Sequence, residues 1–208
     1  ILYWSDESEA WIACVRSKKL WSSIFIMKIP VTETIKEHAD LILSVKNFAK
    51  RKAGFNGSRT MQRTGVIGEL IIYKVLDLPF PTYEGFTFTD IEINNKKIDI
   101  KTMGRNHFMR SGWVHNLVKF QVPHLVDYIV FNNYNKAEET MEIDGWLDKK
   151  TILDNMDKWS QAKGNIRERD DGTFLQMGTN NIEVPTEVLN KINTLEDLKK
   201  IGEKNEKK

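Results

Sequence analysis

Residues 89–102, TDIEINNKKIDIKT, constrain the fold of this chain more than any other segment. Their isoleucines alternate with charged side chains, which is the period-2 pattern of a half-buried strand. Asn94 and Asn95 separate the two runs, and asparagine tolerates the positive φ that a two-residue hairpin turn requires. The segment therefore predicts a β-hairpin with an apolar face and a charged face.

The pairing across this hairpin depends on the length of its turn. If the two asparagines form the turn, Asp90 lies opposite Asp99, and Glu92 lies opposite Lys97. If residues 94–97 form a four-residue turn, Glu92 lies opposite Asp99 instead. Like charges directly opposed on a sheet repel each other, so a stable Asp90–Asp99 pair needs a cation between the carboxylates.

Lys101 follows Asp99 by two residues and is expected to project from the same face of its strand. Two carboxylates beside a lysine indicate a metal site and a metal-dependent hydrolase. An exposed antiparallel hairpin shows the same alternation, so a simple solvent-facing sheet is the competing interpretation.

The 208-residue chain is long enough to bury a core, with 40% hydrophobic and 29% charged residues. Its net charge of +2 and pI near 8.5 exclude a strongly basic nucleic-acid coat, although basic side chains are clustered. The clusters are Lys46, Lys50, Arg51, Lys52, Arg59 and Arg63, and then Arg105, His107 and Arg110. Each cluster could face either phosphates or solvent.

Cys14 is the single cysteine, so the sequence excludes an intramolecular disulfide and a cysteine-based zinc site. The four histidines show no short ligand spacing such as H-E-x-x-H. No apolar run approaches the roughly 20 residues that span a bilayer. We therefore expect a cytoplasmic protein with no membrane partner.

Residues 1–26 differ in composition from the rest, since they carry three of the six tryptophans and the cysteine. Met27 opens a stretch that resembles an ordinary protein start. We interpret residues 1–26 as an N-terminal extension of doubtful origin and residues 27–208 as one domain.

Apolar periodicity predicts an α/β fold with a mixed β-sheet flanked by helices. Helices are predicted at about 34–53, 61–76, 116–126 and 149–159 and from Thr194 onward, and further strands at about 83–88, 127–134 and 141–147. Segment 103–116 is expected to be an irregular polar loop. Asp171 and Gly172 predict a hairpin turn.

The second predicted helix contains Gly65 and Gly68, each of which costs about 1 kcal/mol relative to alanine in a helix. Such a cost suggests that this helix lies close against another backbone. Glu69 follows immediately, so we expect it to lean over the sheet face that holds Asp90 and Asp99.

A glutamate on a core helix, then Asp90, then Asp99-Ile100-Lys101 on the next strand resembles the PD-(D/E)XK nuclease superfamily. That superfamily includes restriction endonucleases, junction resolvases and phage or repair nucleases. The chain departs from the commonest pattern because Thr89, rather than proline, precedes Asp90. It also has aspartate, rather than glutamate, before Ile100.

The resemblance extends over about residues 60–150. A polar loop, a short helix bearing Gln121, a buried strand beginning at Asp127 and a later Gly-Trp strand recur in restriction-like members. The resemblance therefore implies a restriction-endonuclease-like core within a single nuclease domain.

The resemblance also implies a Mg²⁺ cofactor, with Mn²⁺ as a substitute, held by hard oxygen ligands. The implied metal ligands are Asp90, Asp99, the backbone carbonyl of Ile100 and Glu69. Lys101 is implied to contact the attacking water. Gln121 is implied to orient a phosphate or the lysine.

Basic side chains that flank this site in sequence are predicted to contact DNA phosphates. They are Arg59, Arg63, Arg105, His107 and Arg110. Phe108, Met109 and Trp113 would either stack on bases or pack internally.

The leading hypothesis is a metal-dependent endonuclease that hydrolyses DNA phosphodiester bonds, of a restriction, phage or repair type. An exonuclease is less favoured, because the residue four after Gln121 is Leu125 and not the tyrosine of the QxxxY branch. Cutting both strands with one active site per chain would favour a homodimer. The alternatives are a non-catalytic nucleic-acid-binding protein of the same fold and a structural protein with a polar hairpin.

Overall fold

The computed structural model describes residues 27–45, 58–81, 89–107, 110, 112–168, 172 and 174–203. Its strands are β1 (Lys28–Pro30), β2 (Ile91–Ile93), β3 (Lys96–Arg105), β4 (Val114–Val118), β5 (Tyr128–Asn135), β6 (Thr140–Asp148), β7 (Ser160–Gln161), β8 (Ile166–Glu168), β9 (Phe174–Gln176) and β10 (Asn181–Pro185). Its α-helices are α1 (Glu33–Val45), α2 (Arg59–Val75), α3 (Lys149–Asp154), α4 (Met156–Trp159) and α5 (Leu195–Lys199). Short 3₁₀ helices span Lys119–His124 and Thr186–Val188.

The protein is α/β, with a mixed sheet flanked by helices, as the periodicity predicts. Within the described residues the main sheet has five strands in the order β1-β6-β5-β3-β2. β3 and β5 run parallel, and the other neighbours are antiparallel. β5 is almost entirely buried between β3 and β6, and it confirms the strand predicted at about 127–134.

The β2–β3 hairpin has the two-residue turn. Asn94 and Asn95 have φ of 52° and 58°, the left-handed values that a turn of this kind needs. The register pairs Ile91 with Ile98 and Glu92 with Lys97. The four-residue turn is therefore wrong, and the predicted Glu92–Lys97 pair is confirmed.

Apolar clusters cover both faces of the main sheet. Ile98, Ile100 and Val130 belong to a cluster with side chains of α1 and α2. Ile129 and Phe131, on the opposite face, belong to a cluster that includes β4 and β10. Because side chains alternate along β3, Asp99 and Lys101 project toward this second side.

Two local predictions in the segment after the hairpin are wrong. β3 continues to Arg105 and β4 begins at Val114, so residues 103–116 are not an irregular loop throughout. The predicted helix over 116–126 is instead the end of β4 followed by a 3₁₀ helix. β4 is held by pairing with β10, which lies far along the chain, and local periodicity does not reveal such a partner.

Other predicted elements agree with the structure. α5 is preceded by a capping box in which Thr194 and Asp197 exchange bonds with each other's backbone N–H. β8 pairs with β9 around the predicted hairpin, although most of its turn lies outside the described residues. The predicted strand over 83–88 and the end of the first helix also lie outside them. Among the helices described, none has the length and apolarity to cross a membrane.

Candidate active site

Asp90 lies just before β2 and does not continue the ladder opposite Asp99. Its N–H donates to the carbonyl of Ile98 at 3.0 Å, and its Oδ2 accepts the N–H of Ile100 at 2.6 Å. The register ends at the Ile91–Ile98 pair. The predicted Asp90–Asp99 cross-strand pair is therefore wrong, because the Asp90 carboxylate takes up the N–H of Ile100 at the point where β2 pairing stops.

Helix α2 holds the same position from the other side. The hydroxyl of Tyr73 donates to the backbone carbonyl of Asp90 at 2.7 Å. Burial raises the pKa of the Tyr73 hydroxyl, and the nearby charges of Asp90 and Glu69 raise it further. Tyr73 therefore remains a neutral donor that ties the helix to the chain at Asp90.

Asp99 and Lys101 form an ion pair along β3. The Nζ of Lys101 lies 2.9 Å from Oδ1 and 2.8 Å from Oδ2 of Asp99. Their side chains are 14% and 26% exposed, respectively, so the pair is partly shielded from water. The predicted common face for these two residues is confirmed by this contact.

The four charged residues of the predicted site influence one another electrostatically. Burial raises the pKa of Asp90 well above its ordinary value, and the negative charges of Glu69 and then Asp99 add to the rise. Burial alone would lower the pKa of Lys101, but Asp99, Asp90 and Glu69 together raise it. Negative charge is thus concentrated around Lys101, which stays protonated at neutral pH.

Glu69 lies on α2 and acts electrostatically on the rest of this group. α2 packs on the Ile98 and Ile100 side of the sheet, whereas alternation along β3 directs Asp99 to the other side. The charge of Glu69 is nevertheless among the causes that raise the pKa values of Asp90 and Lys101. The expectation that Glu69 leans over the sheet face holding Asp90 and Asp99 stays a prediction.

The two glycines of α2 have different surroundings. A Cβ at Gly68 would lie 1.8 Å from Oγ1 of Thr102 on β3, whereas a Cβ at Gly65 would have no neighbour within 4 Å. The predicted close approach is therefore correct for Gly68 and wrong for Gly65. The sequence analysis expected another backbone at this position, but the neighbour of Gly68 is the β-branched side chain of Thr102.

Gln121 lies in the 3₁₀ helix that joins β4 to β5. Its neighbours Val122 and Leu125 belong to the apolar cluster on the side toward which Asp99 and Lys101 project. Within the described residues, Gln121 makes no hydrogen bond and no ion pair with Asp99 or Lys101. Its implied role therefore stays a prediction.

The predicted DNA-binding residues fall into separate places. Arg63 on α2 is held by Asp40 of α1, with Nε–Oδ1 and Nη2–Oδ2 distances of 2.7 and 2.8 Å. Arg59 is exposed at the start of the same helix. At the far end of β3, the guanidinium carbons of Arg105 and Arg110 lie 4.4 and 5.6 Å from the centre of the Trp113 ring.

His107 is exposed close to this second group, and its backbone carbonyl accepts a bond from Asn133 at 3.4 Å. Phe108 and Met109 lie outside the described residues. Trp113 is half-buried, and the guanidinium groups of Arg105 and Arg110 lie close to its ring. These contacts favour internal packing of Trp113 over stacking on a base.

The donor set suits a hard cation, since it consists of carboxylates in a negative environment. Oδ2 of Asp90 accepts a hydrogen bond from the N–H of Ile100, and Asp99 accepts one from Nζ of Lys101. Across the described ranges, no three Asp, Glu, His or Cys side chains are already arranged to enclose a metal ion.

No family model matches this chain. Comparisons with curated proteins and with solved structures give no match either.

A buried histidine–carboxylate pair was not anticipated from the sequence. Nε2 of His115 on β4 lies 2.9 Å from Oδ2 of Asp144 on β6, and the two side chains are 1% and 4% exposed. Asp144 also acts electrostatically on Arg105 and Lys191. The alternation in VHNLV could have indicated a strand with His115 inward, but the sequence has no signal for its partner.

Proposed function

We propose that this protein is a metal-dependent endonuclease that hydrolyses DNA phosphodiester bonds, with a restriction-endonuclease-like core of the PD-(D/E)XK type. The observation that carries the proposal is that the Asp90 carboxylate accepts the N–H of Ile100, the residue between Asp99 and Lys101, whose side chains form an ion pair. The charge of Glu69 acts on this group from α2. These are the residues that the motif assigns to metal binding and catalysis. Three carboxylates beside one ammonium repel one another unless a cation is bound among them.

Each residue then has a definable part. Asp90, Asp99 and Glu69 would hold Mg²⁺, together with the backbone carbonyl of Ile100. The ion would lower the pKa of a bound water and offset the charge that develops at phosphorus. Lys101, whose pKa is raised, would act as a donor to the attacking water or to a phosphate oxygen rather than as a base.

The test is cleavage of supercoiled plasmid with Mg²⁺, with Mn²⁺ and with EDTA. We expect nicking or linearisation only with the metals. Asp99→Asn should abolish it, and Lys101→Met should slow it by about 10²–10⁴-fold. Glu92→Gln is the matched control, because Glu92 is an exposed carboxylate of the same hairpin, and it should cut at the wild-type rate.

Cleavage that persists unchanged in Asp99→Asn and Lys101→Met would refute this assignment of the site. Cleavage in EDTA would refute the metal requirement.

A non-catalytic nucleic-acid-binding protein is the second candidate. The Asp99–Lys101 ion pair favours it, because the lysine already neutralises one of the expected metal ligands. Under this alternative the wild type shifts DNA on a native gel but does not cut it with either metal, and Asp99→Asn binds as tightly as the wild type.

A further inference from the structure

The two aspartates of the candidate site are held in different ways. Oδ2 of Asp90 accepts the backbone N–H of Ile100, and its backbone carbonyl accepts the hydroxyl of Tyr73. Asp99 is paired with the side chain of Lys101, whose Nζ lies 2.9 Å from Oδ1 and 2.8 Å from Oδ2. A backbone N–H is fixed by the sheet, whereas a lysine head group lies at the end of a flexible four-carbon stem. The partner of the Asp99 carboxylate can therefore move away from it.

Lys101 contacts the oxygens that a metal ion would bind. Mg²⁺ binds carboxylate oxygen directly, at about 2.1 Å. An ammonium within hydrogen-bond distance of both oxygens of Asp99 places its positive charge beside the position that such an ion would take. Two cations so close together repel each other, and they do so more strongly in a site that is partly shielded from water. The ion and the lysine therefore compete for Asp99.

The charge of the site favours an exchange of these two cations. Glu69, Asp90 and Asp99 all act electrostatically on Lys101. When all three carboxylates are ionised, one ammonium leaves two negative charges uncompensated, and a divalent ion matches that excess. The Lys101 side chain is partly exposed, so its head group can turn toward solvent when it leaves Asp99.

We propose that Lys101 is the counter-ion of Asp99 in the metal-free protein and that a divalent cation displaces it. This inference rests on the proposed function and deepens it, because it describes how the same site is regulated. Metal binding and release of the lysine are then one event. The ammonium becomes available to the attacking water or to a phosphate oxygen only when the ion is bound, so the site does not act before its metal arrives.

The first test is Mn²⁺ binding in the absence of DNA, measured by the decrease in the electron paramagnetic resonance signal of the free ion. Lys101→Met removes the competing cation and should bind Mn²⁺ at least about ten-fold more tightly than the wild type. Lys101→Arg keeps the positive charge and should bind Mn²⁺ no more tightly than the wild type does. An affinity of Lys101→Met equal to or below that of the wild type would overturn the proposal.

Lys97→Met is the matched control for this measurement. Lys97 is an exposed lysine of the same strand, four residues and about 13 Å before Lys101, and alternation places it on the same face. It lies opposite Glu92. Lys97→Met removes the same charge from β3 without touching Asp99, so it should bind Mn²⁺ as the wild type does.

Thermal unfolding gives a second measurement that does not depend on activity. In EDTA, Lys101→Met lacks the counter-ion of Asp99 and should have a lower Tm than Lys97→Met. Excess Mn²⁺ should raise the Tm of Lys101→Met by more than that of the wild type, because the ion binds this variant more tightly. A lysine that only supports the fold would lower the Tm equally in EDTA and in Mn²⁺, and that result would contradict the competition.

Cleavage kinetics separate the two parts that Lys101 plays. Lys101→Met should cut plasmid slowly even at saturating Mn²⁺, yet it should reach half of its own maximal rate at a lower Mn²⁺ concentration than the wild type does. A general defect in folding would reduce the rate and the metal affinity together. A higher Mn²⁺ requirement in this variant would therefore count against the exchange.

The outcomes separate this inference from the proposed function. Tighter Mn²⁺ binding by Lys101→Met, with no cleavage by the wild type, would refute the nuclease and support the exchange at Asp99. Cleavage by the wild type, with no gain of Mn²⁺ affinity in Lys101→Met, would support the nuclease and refute the exchange. Absence of Mn²⁺ binding by both proteins would refute both proposals.

Discussion

The carboxylate of Asp90 is held where its negative charge is unfavourable. Burial, Glu69 and Asp99 raise its pKa, and only Lys101 and the N–H of Ile100 act in the other direction. A group of this kind lowers the stability of the metal-free protein at neutral pH. The arrangement is understandable if a cation normally offsets it, because a bound metal would remove the repulsion.

This reasoning predicts the pH dependence of stability. Because the folded protein binds the Asp90 proton more tightly than the unfolded chain does, wild-type stability falls as the pH rises from the ordinary aspartate value through the raised one. Asp90→Asn removes that loss. In EDTA, the variant should therefore gain free energy of unfolding relative to the wild type as the pH increases from about 4 to 8.

Urea unfolding at each pH measures the difference, with Glu92→Gln as the exposed control. Mg²⁺ should stabilise the wild type and not Asp90→Asn. If the difference in free energy of unfolding between wild type and Asp90→Asn stayed constant across this pH range, the charge of Asp90 would not destabilise the folded protein.

At the scale of elements, the packing of α2 on β3 positions Tyr73 and Glu69. Gly68 permits this packing, because Thr102 occupies the space where a Cβ would lie. Gly65 lies one turn earlier and faces open space. The two glycines therefore have opposite effects, although they look equivalent in the sequence.

We predict that Gly68→Ala destabilises the protein by about 1–3 kcal/mol, since Thr102 is stiff at χ1 and cannot swing aside freely. Gly65→Ala should stabilise it by up to about 1 kcal/mol through helix propensity. Denaturant unfolding of both variants measures the effect. Equal changes in the two would contradict the packing described for α2.

At the scale of the whole molecule, the main sheet has an apolar cluster on each face, and the His115–Asp144 pair joins β4 to β6 across the second one. Asp144 also lies near the cations Arg105 and Lys191. The pair therefore connects the smaller sheet that contains β4 and β10 to the sheet that carries the candidate site.

Asp144→Ala should lower the free energy of unfolding by about 1–3 kcal/mol, because it leaves the buried Nε2 of His115 without its hydrogen-bond partner. His115→Ala should have a similar effect, and the double variant should lose less than the sum of the two. Asp154→Ala, which removes an exposed partner of Lys150, is the control and should have no measurable effect. Additive losses from Asp144→Ala and His115→Ala would mean that the two residues act independently.

Local features of the sequence determined the hairpin with its asparagine turn, the strand β5, the helix after Thr194 and the common face of Asp99 and Lys101. Each depends on residues that are close along the chain, where alternation, turn conformation and capping are decisive. The candidate site residues also followed from the sequence, through the motif they resemble.

The tertiary structure alone decided the rest. β4 forms because β10 supplies its hydrogen bonds, His115 meets Asp144 across two sheets, and Gly68 differs from Gly65 only through Thr102. Tertiary contacts also place Asp90 outside the β2–β3 ladder and place the Arg105 guanidinium against the Trp113 ring. These outcomes depend on contacts between residues distant along the chain, and local periodicity carries no record of which distant partner an element will meet.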